Sequence, residues 1–195
     1  MKLDLSNTNN NIYSSGYMTS HITMPSCQII IIGADDVLHI LLRKKFESLN
    51  NFYPTVDFAA SLYKEIPGQY ALLLVQEEYT SVITDPYGII KIYYLHSQGR
   101  TILSDSLNDF MGESLTLDKE ALKYYFISGY TPSKHTFFSE IKKVEPCSII
   151  ILDKKKSLTV KCYGSFSAHR RYGVDFLEKF HTSVGKVLDF VKVQY

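Results

Sequence analysis

The sequence has 195 residues, of which 45% are hydrophobic, and this is enough for one large domain with its own core. Lysine and arginine total 21 against 20 acidic residues, so the chain lacks the positive excess expected of a protein that binds nucleic acid or a membrane surface. No apolar run is long enough to span a bilayer and no signal peptide is visible, which predicts a soluble cytoplasmic protein.

Cysteine and histidine usage gives no sign of a metal or redox centre. The three cysteines, Cys27, Cys147 and Cys162, form no C-x-x-C pair, and this favours reduced thiols. The six histidines are scattered without an H-x-x-x-H or His/Cys cluster. The sequence therefore predicts no metal site and no cofactor.

The first third of the chain predicts a lead-in, a strand and two helices. Residues 1–11 are polar and rich in asparagine, which is typical of a disordered segment. Cys27–Ile32 is a run of β-branched residues that predicts a buried strand. Asp35 and Asp36 stand where acidic residues favour the start of a helix, and a second, shorter helix is predicted over Val56–Lys64.

The stretch from Gly68 to Tyr94 predicts a β-meander. Two β-rich runs, Tyr70–Val75 and Tyr79–Thr84, flank a polar pair and indicate a hairpin. The following Asp85-Pro86-Tyr87-Gly88 suits a type I turn, with proline second and glycine fourth. A third run, Ile89–Leu95, leaves that turn and is predicted to continue the sheet.

The next part of the chain predicts one helix between strands. Arg100–Leu103 indicates a strand, and Asp118 is placed as the N-cap of a helix that Gly129 would end. Ser148–Leu152 and Leu158–Cys162 flank a basic turn and predict a second hairpin. The apolar face predicted for the helix consists of Leu122, Tyr125 and Phe126.

Residues 166–195 differ from the rest of the chain. A polar, basic linker precedes an amphipathic helix predicted over 174–192. Such an apolar stripe requires a surface to pack on, in its own domain or in a partner. The stripe consists of Leu177, Phe180, Val184, Val187, Leu188 and Val191.

Several motifs follow one another in fixed order between Gly68 and Gly164, namely Gly68-Gln69-Tyr70-Ala71, Asp85-Pro86-Tyr87-Gly88, Tyr93-Tyr94, Thr136-Phe137-Phe138 and Pro146. They resemble the N-terminal glutaminase-type domain, a class II glutamine amidotransferase domain, of the asparagine synthetase family. The resemblance implies an α+β fold for residues 12–165, namely a four-layer α/β/β/α sandwich of two antiparallel sheets, the N-terminal nucleophile hydrolase fold. The residues that match the framework of the family are Gly68, Asp85, Gly88, Tyr93, Tyr94 and Pro146.

The departures from the family concern its chemistry. Active members use a cysteine that removal of the initiator methionine exposes as the first residue, and this chain has Lys2 there. At the place of the family's N-G-E segment, which binds glutamine, the chain has Ile32-Gly33-Ala34-Asp35 and keeps only the glycine. Any remnant of the pocket is expected near Gly33, Ala34 and Asp35. The Ser-Gly-Gly-x-Asp-Ser loop of the synthetase half is absent from the sequence. Glutaminase activity, that of asparagine synthase (glutamine-hydrolysing), is therefore not expected.

These features favour a non-catalytic scaffold for a synthetase-type ATP-pyrophosphatase domain or subunit, contacted through the 174–192 helix, and leave self-association open. One alternative is an active, ammonia-supplying subunit in which cleavage after Ser26 exposes Cys27 as nucleophile. A second is a small-molecule-binding module with a remodelled pocket around Gly33.

Asp85 is interpreted as a turn residue rather than a catalytic acid. Ser104-Asp105-Ser106 lacks the G-x-S-x-G context of a serine hydrolase.

Overall fold

A computed structural model describes residues 2–4, 17, 19–49, 53–132, 134–155, 157–164, 182 and 185. The chain divides into two compact units, Met1–Ser165 and Phe166–Tyr195. Of the second unit only Thr182 and Gly185 are described, both helical. The predicted 174–192 helix otherwise lies outside the described residues.

The larger sheet of the first unit is antiparallel and has the strand order β10-β9-β5-β4-β3-β2. Both predicted hairpins, β4–β5 and β9–β10, are present in it, and β3 has the bounds that the sequence predicted. Its strands are β2 (Thr19–Met24), β3 (Cys27–Ile32), β4 (Ala71–Gln76), β5 (Tyr79–Ile83), β9 (Ser148–Asp153) and β10 (Leu158–Cys162).

The smaller sheet is also antiparallel, with the strand order β1-β7-β6-β8. Its edge strand β1 differs from the disordered lead-in predicted for residues 1–11, because the backbone of these three residues pairs with β7; residues 5–11 lie outside the described part. The strands are β1 (Lys2–Asp4), β6 (Tyr93–Ser97), β7 (Arg100–Ser104) and β8 (Ile141–Lys143).

The described helices are α1 (Asp36–Glu47), α2 (Val56–Glu65), α3 (Lys119–Ser128) and a 3-10 helix, Leu107–Phe110. The Asp118 carboxylate accepts hydrogen bonds from the amides of Glu120 and Ala121, so the predicted N-cap of α3 is confirmed. Gly129 ends the helix with a φ of 79°, a left-handed conformation that glycine adopts without steric cost.

The core is arranged in layers on both faces of the larger sheet. Along β3, Ile29 and Ile31 pack toward α1 and α2, whereas Ile30 and Ile32 pack toward the smaller sheet. Burial on both faces explains why this strand is a continuous apolar run. Phe110 of the 3-10 helix packs on the far face of the smaller sheet. The predicted four-layer α/β/β/α sandwich of two antiparallel sheets is confirmed.

Helix α3 does not pack as the sequence predicted. The expected apolar face included Tyr125 and Phe126, but Ala121 is the buried residue of this helix. Phe126 is 83% exposed and Ile127 is 86% exposed. The short side chain of Ala121 is the one that is buried, whereas Phe126 and Ile127 in the C-terminal half face outward.

The predicted meander is wrong at its third strand. Strand β5 ends at Ile83, and the chain then crosses to the smaller sheet, where β6 begins at Tyr93. Between these strands Ile90 and Ile92 are buried among residues of both sheets. The run Ile89–Leu95 is thus apolar because it passes through the layer between the sheets.

The Asp85 carboxylate fixes this crossing. It is fully buried and accepts hydrogen bonds from the amides of Tyr87 (2.8 Å), Ile89 (3.1 Å) and Ile90 (3.0 Å). The predicted turn is confirmed by the bond from the Gly88 amide to the Asp85 carbonyl oxygen, 3.2 Å. A turn stabilised by its own side chain redirects the backbone where a meander would have turned back.

We expect Asp85→Ala to lower the free energy of unfolding by about 3–5 kcal/mol, because three buried amides lose their acceptor. Asp85→Asn keeps one acceptor oxygen and should cost about half as much. Urea unfolding of both variants and the parent measures the difference. An alanine variant within about 1 kcal/mol of the parent, or equal losses in both variants, would contradict this role for the carboxylate.

Candidate functional site

The position that resemblance assigns to the nucleophile opens the edge strand β1. Lys2 pairs with Ser104, which pairs with Tyr93, which in turn pairs with Lys143, so these four residues form one row across the smaller sheet. Ser104 is buried, and its hydroxyl donates to an Asp109 carboxylate oxygen and accepts from the Ser106 amide at 3.0 Å. This serine therefore stabilises the start of the 3-10 helix and is not poised as a nucleophile.

Cys27, the fallback nucleophile, lies at the start of β3 and is 4% exposed. Burial raises the pKa of its thiol to about 11, and its Sγ lies 3.6 Å from the Gln28 carbonyl oxygen. The thiolate is the reactive form of cysteine, so this environment opposes reactivity. Cleavage after Ser26 would also cut the two-residue turn that joins β2 to β3, because Met24 pairs with Cys27.

A remnant of the glutamine pocket is expected at Gly33-Ala34-Asp35. In the structure these residues pack in the core or cap a helix. A Cβ atom on Gly33 would lie 2.4 Å from Ile90 Cδ1, and the φ of Gly33 is 83°. Ala34 is buried, and the Asp35 carboxylate accepts from the Leu38 amide at 2.8 Å as the N-cap of α1. Each of the three residues has a structural role at the junction of β3 and α1; a ligand role for them stays a prediction.

The framework residues lie at three places in the fold. Gly88 has a φ of 63°, and a Cβ atom there would lie 2.6 Å from Pro146 Cγ, so the Asp85 turn packs directly against the segment before β9. A Cβ atom on Gly68 would lie 2.8 Å from Leu38 Cδ1 of α1. Tyr93 and Tyr94 are neighbours on β6: Tyr94 packs between the sheets and Tyr93 on the outer face. These residues position the layers and bring no reactive groups together.

Sequence reasoning missed a tyrosine cluster beside α2, in which Tyr63 and Tyr70 are buried and Tyr163 is half-buried. The rings of Tyr63 and Tyr70 stack with centroids 4.6 Å apart, and Tyr163 stacks on Tyr63 at 5.7 Å. Burial raises the pKa of all three phenols, and each hydroxyl donates to a main-chain carbonyl oxygen. The phenols are protonated and hydrogen-bonded, and their stacked rings connect the start of β4 with the residue after β10. Tyr163 lies far from the other two tyrosines in sequence, so no local pattern reveals its contact with them.

Within the described part of the chain, no group of three or more His, Cys, Asp or Glu residues could hold a metal ion. Among the described helices, none has the length and apolarity needed to cross a membrane.

The two antiparallel sheets lie face to face with helices outside, and the framework turn packs on Pro146, as the resemblance to a glutamine amidotransferase domain implies. Residues 51–163, more than half of the chain, match the model of a family described as "Glutamine amidotransferase domain". The chain belongs to this family of glutamine amidotransferase domains.

The chain is similar to asparagine synthetase [glutamine-hydrolyzing] 1 of Bacillus subtilis (strain 168), with 30% identity over 149 residues. The match covers 69% of this chain and 24% of that relative, so the chain spans about a quarter of the relative's length. Among solved structures, glutamine phosphoribosylpyrophosphate amidotransferase from B. subtilis with ADP and GMP is similar (13% identity, 77% of this chain, 32% of that chain, TM-score 0.38). So is an allosteric regulatory enzyme of purine biosynthesis (15% identity, 74% of this chain, 30% of that chain, TM-score 0.34). Both structural likenesses are distant.

Thiol reactivity tests the placement of the cysteines. Cys162 is exposed, whereas Cys27 and Cys147 are buried and have raised pKa values because of desolvation. We expect brief treatment with iodoacetamide at about pH 8 to add one group, on Cys162, and three groups after denaturation. Intact mass and peptide mapping measure this, with Cys162→Ser as the control. Rapid modification of Cys27 in the folded protein would show that it is reactive.

Proposed function

We propose that this glutamine amidotransferase domain is non-catalytic and acts as a scaffold for a synthetase-type, ATP-dependent amide-forming domain or subunit. The observation that carries the proposal is the burial of Cys27, the cysteine at a strand start, whose pKa is raised to about 11. A nucleophilic cysteine requires the opposite, an accessible thiol with a lowered pKa. The protein in this proposal is cytoplasmic and needs no cofactor of its own.

Two further observations support the loss of chemistry. Lys2 occupies the position that resemblance assigns to the nucleophile, and it pairs with Ser104, whose hydroxyl is engaged by Asp109. Ile90 fills the space beside Gly33, where the glutamine-binding segment would lie. The groups that would attack and bind glutamine are thus replaced by groups that stabilise the fold.

An exposed apolar surface on α3 supports a scaffolding role. This α3 surface is formed by large aromatic and aliphatic residues in and just after the C-terminal half of the helix, and contiguous surfaces of this kind mark sites of association. The relative named asparagine synthetase is about four times as long as the part it shares with this chain, which favours a synthetase-type ATP-pyrophosphatase domain or subunit as the occupant. A contact through the 174–192 helix is proposed alongside it. The surface residues are Tyr124, Tyr125, Phe126, Ile127 and Tyr130.

Catalytic status is tested by a glutaminase assay on the full chain. We expect ammonia release from glutamine to equal the buffer blank and to be unchanged in Cys27→Ala, because the buried thiol cannot reach substrate. An active glutaminase added to the same mixture controls for inhibition of the assay. Ammonia release by the parent that the alanine variant loses, with intact mass showing removal of residues 1–26, would establish the processed-nucleophile alternative instead.

Docking is tested with the synthetase-type protein encoded beside this chain or continuous with it. We expect a one-to-one complex whose dissociation constant rises at least about tenfold in the double variant Phe126→Asp, Ile127→Asp, since two exposed apolar anchors are lost. Met111→Asp, at a position 67% exposed outside the α3 surface, is the matched control. Absence of any such protein, or an affinity unchanged by the double variant, would overturn the scaffold proposal.

A further inference from the structure

A cavity of about 200 Å³ lies on the outer face of the smaller sheet. Its walls come from the backbone leading into β6, from the end of β8, from α3 and from the segment after α3. That segment is held in place by a hydrogen bond from the Lys143 amide to the Lys134 carbonyl oxygen, 2.8 Å, and by one from the Asp118 amide to the Phe137 carbonyl oxygen, 2.9 Å. The walls of this partly open cavity are therefore formed by elements that are held in place.

The charged side chains that line the cavity are cationic, and a histidine beside them is cationic when protonated. Lys91, Lys143 and His135 are its ionisable cationic groups, and no carboxylate is among its lining residues. The Lys91 ammonium donates to the Gly88 carbonyl oxygen. The Lys143 ammonium has no hydrogen-bond or ion-pair partner among the described residues, whereas His135 lies 3.4 Å from an Asp118 carboxylate oxygen. Two ammonium groups thus share a concave site, and none of the described residues that line it carries a carboxylate.

The electrostatics of Lys143 follow from this placement. Burial and the neighbouring Lys91 ammonium lower the pKa of Lys143, and Glu145 offsets part of that effect. An anion between the two ammonium groups would replace repulsion by attraction for both of them. The charge at this site therefore favours a negatively charged ligand.

The remaining walls suit an organic molecule rather than a bare ion. The rings of Tyr93 and Tyr125 line the cavity, and Tyr125 is itself held edge-on by Phe137 at 5.0 Å between centroids. The Thr136 hydroxyl is committed to the Ile141 carbonyl oxygen at 2.9 Å and offers no donor to a ligand. Aromatic walls with a few charged groups at one end are typical of small-molecule sites.

We propose that this cavity binds a small organic oxyanion, a carboxylate or phosphate held by Lys143 and Lys91, with its carbon skeleton against Tyr93 and Tyr125. The site is separate from the segment Gly33-Ala34-Asp35 and does not depend on the proposed scaffold function. Its two lysines are far apart in sequence and meet because Lys143 pairs with Tyr93 across β6 and β8.

Titration calorimetry and amide NMR shifts of the full chain test the proposal with two probes, inorganic phosphate and succinate. Saturable binding of at least one of them is expected, with succinamide, the neutral analogue of succinate, and sodium chloride at equal ionic strength giving none. Phosphate also stabilises proteins by exclusion from their surface, so a rise in melting temperature alone does not count as binding. Tighter binding of inorganic phosphate would show that the site prefers a phosphate group, and tighter binding of succinate that it prefers a carboxylate.

Lysine variants test whether the anion binds in this cavity. Lys143→Met and Lys91→Met should each weaken binding about tenfold or more, because each removes a charged hydrogen bond. Lys142→Met is the matched control: it removes the same charge from the same strand, but Lys142 pairs with Tyr94 and belongs to the opposite face. Its affinity should stay within about twofold of the parent.

Stability separates a binding role from a structural one. Because burial disfavours the charge of Lys143, Lys143→Met should be at least as stable as the parent without ligand while binding less. No saturable binding at about 20 mM of either anion, well above a millimolar dissociation constant, would overturn the proposal. So would equal weakening by Lys142→Met, or full binding by both Lys143→Met and Lys91→Met.

Discussion

The buried Asp85 carboxylate is the interaction on which the arrangement of the two sheets depends. Burying a charge is costly unless hydrogen bonds replace its hydration, and here three amides of the following turn do so. The main-chain oxygen of the same residue accepts from the amides of Gly88 and Cys147, both at 3.2 Å. One residue thus joins the end of β5, the crossing to β6 and the start of β9, and so sets how the larger sheet faces the smaller.

This dependence explains how the fold would persist if, as proposed, the glutaminase chemistry has been lost. The contacts that stabilise the layers are apolar residues such as Ile30 and Leu103 between the sheets, together with the Asp85 turn. Neither Lys2 nor Cys27 is needed as a reactive group for any of them. Cys27 contributes instead as a small buried apolar side chain, which is how free cysteine commonly behaves in a core. Glutamine hydrolysis can be lost at such positions while the fold keeps its stability.

Features that depend on residues close together in sequence could be predicted, whereas contacts between residues far apart in sequence could not. The Asp118 cap, the Gly129 stop and the bounds of β3 depend on local hydrogen bonds and local burial, and each was predicted. The third strand of the meander was misassigned because an apolar run between two sheets has the same composition as a strand within one sheet. The partners of Lys143 and of Lys2 are set by sheet register, which pairs Lys143 with Tyr93 and Lys2 with Ser104, and no spacing along the chain encodes such distant pairs.

Tyr125 connects the two surfaces for which ligands are proposed. It lines the cavity that contains Lys143, and it is 40% exposed on α3 beside Phe126. A partner that covers the α3 surface would therefore form part of the outer boundary of the cavity and exclude water from its two ammonium groups. Attraction between these groups and a bound oxyanion strengthens as water is removed. Binding of the partner and of the anion should then favour each other by the same factor, since coupling between two sites is reciprocal.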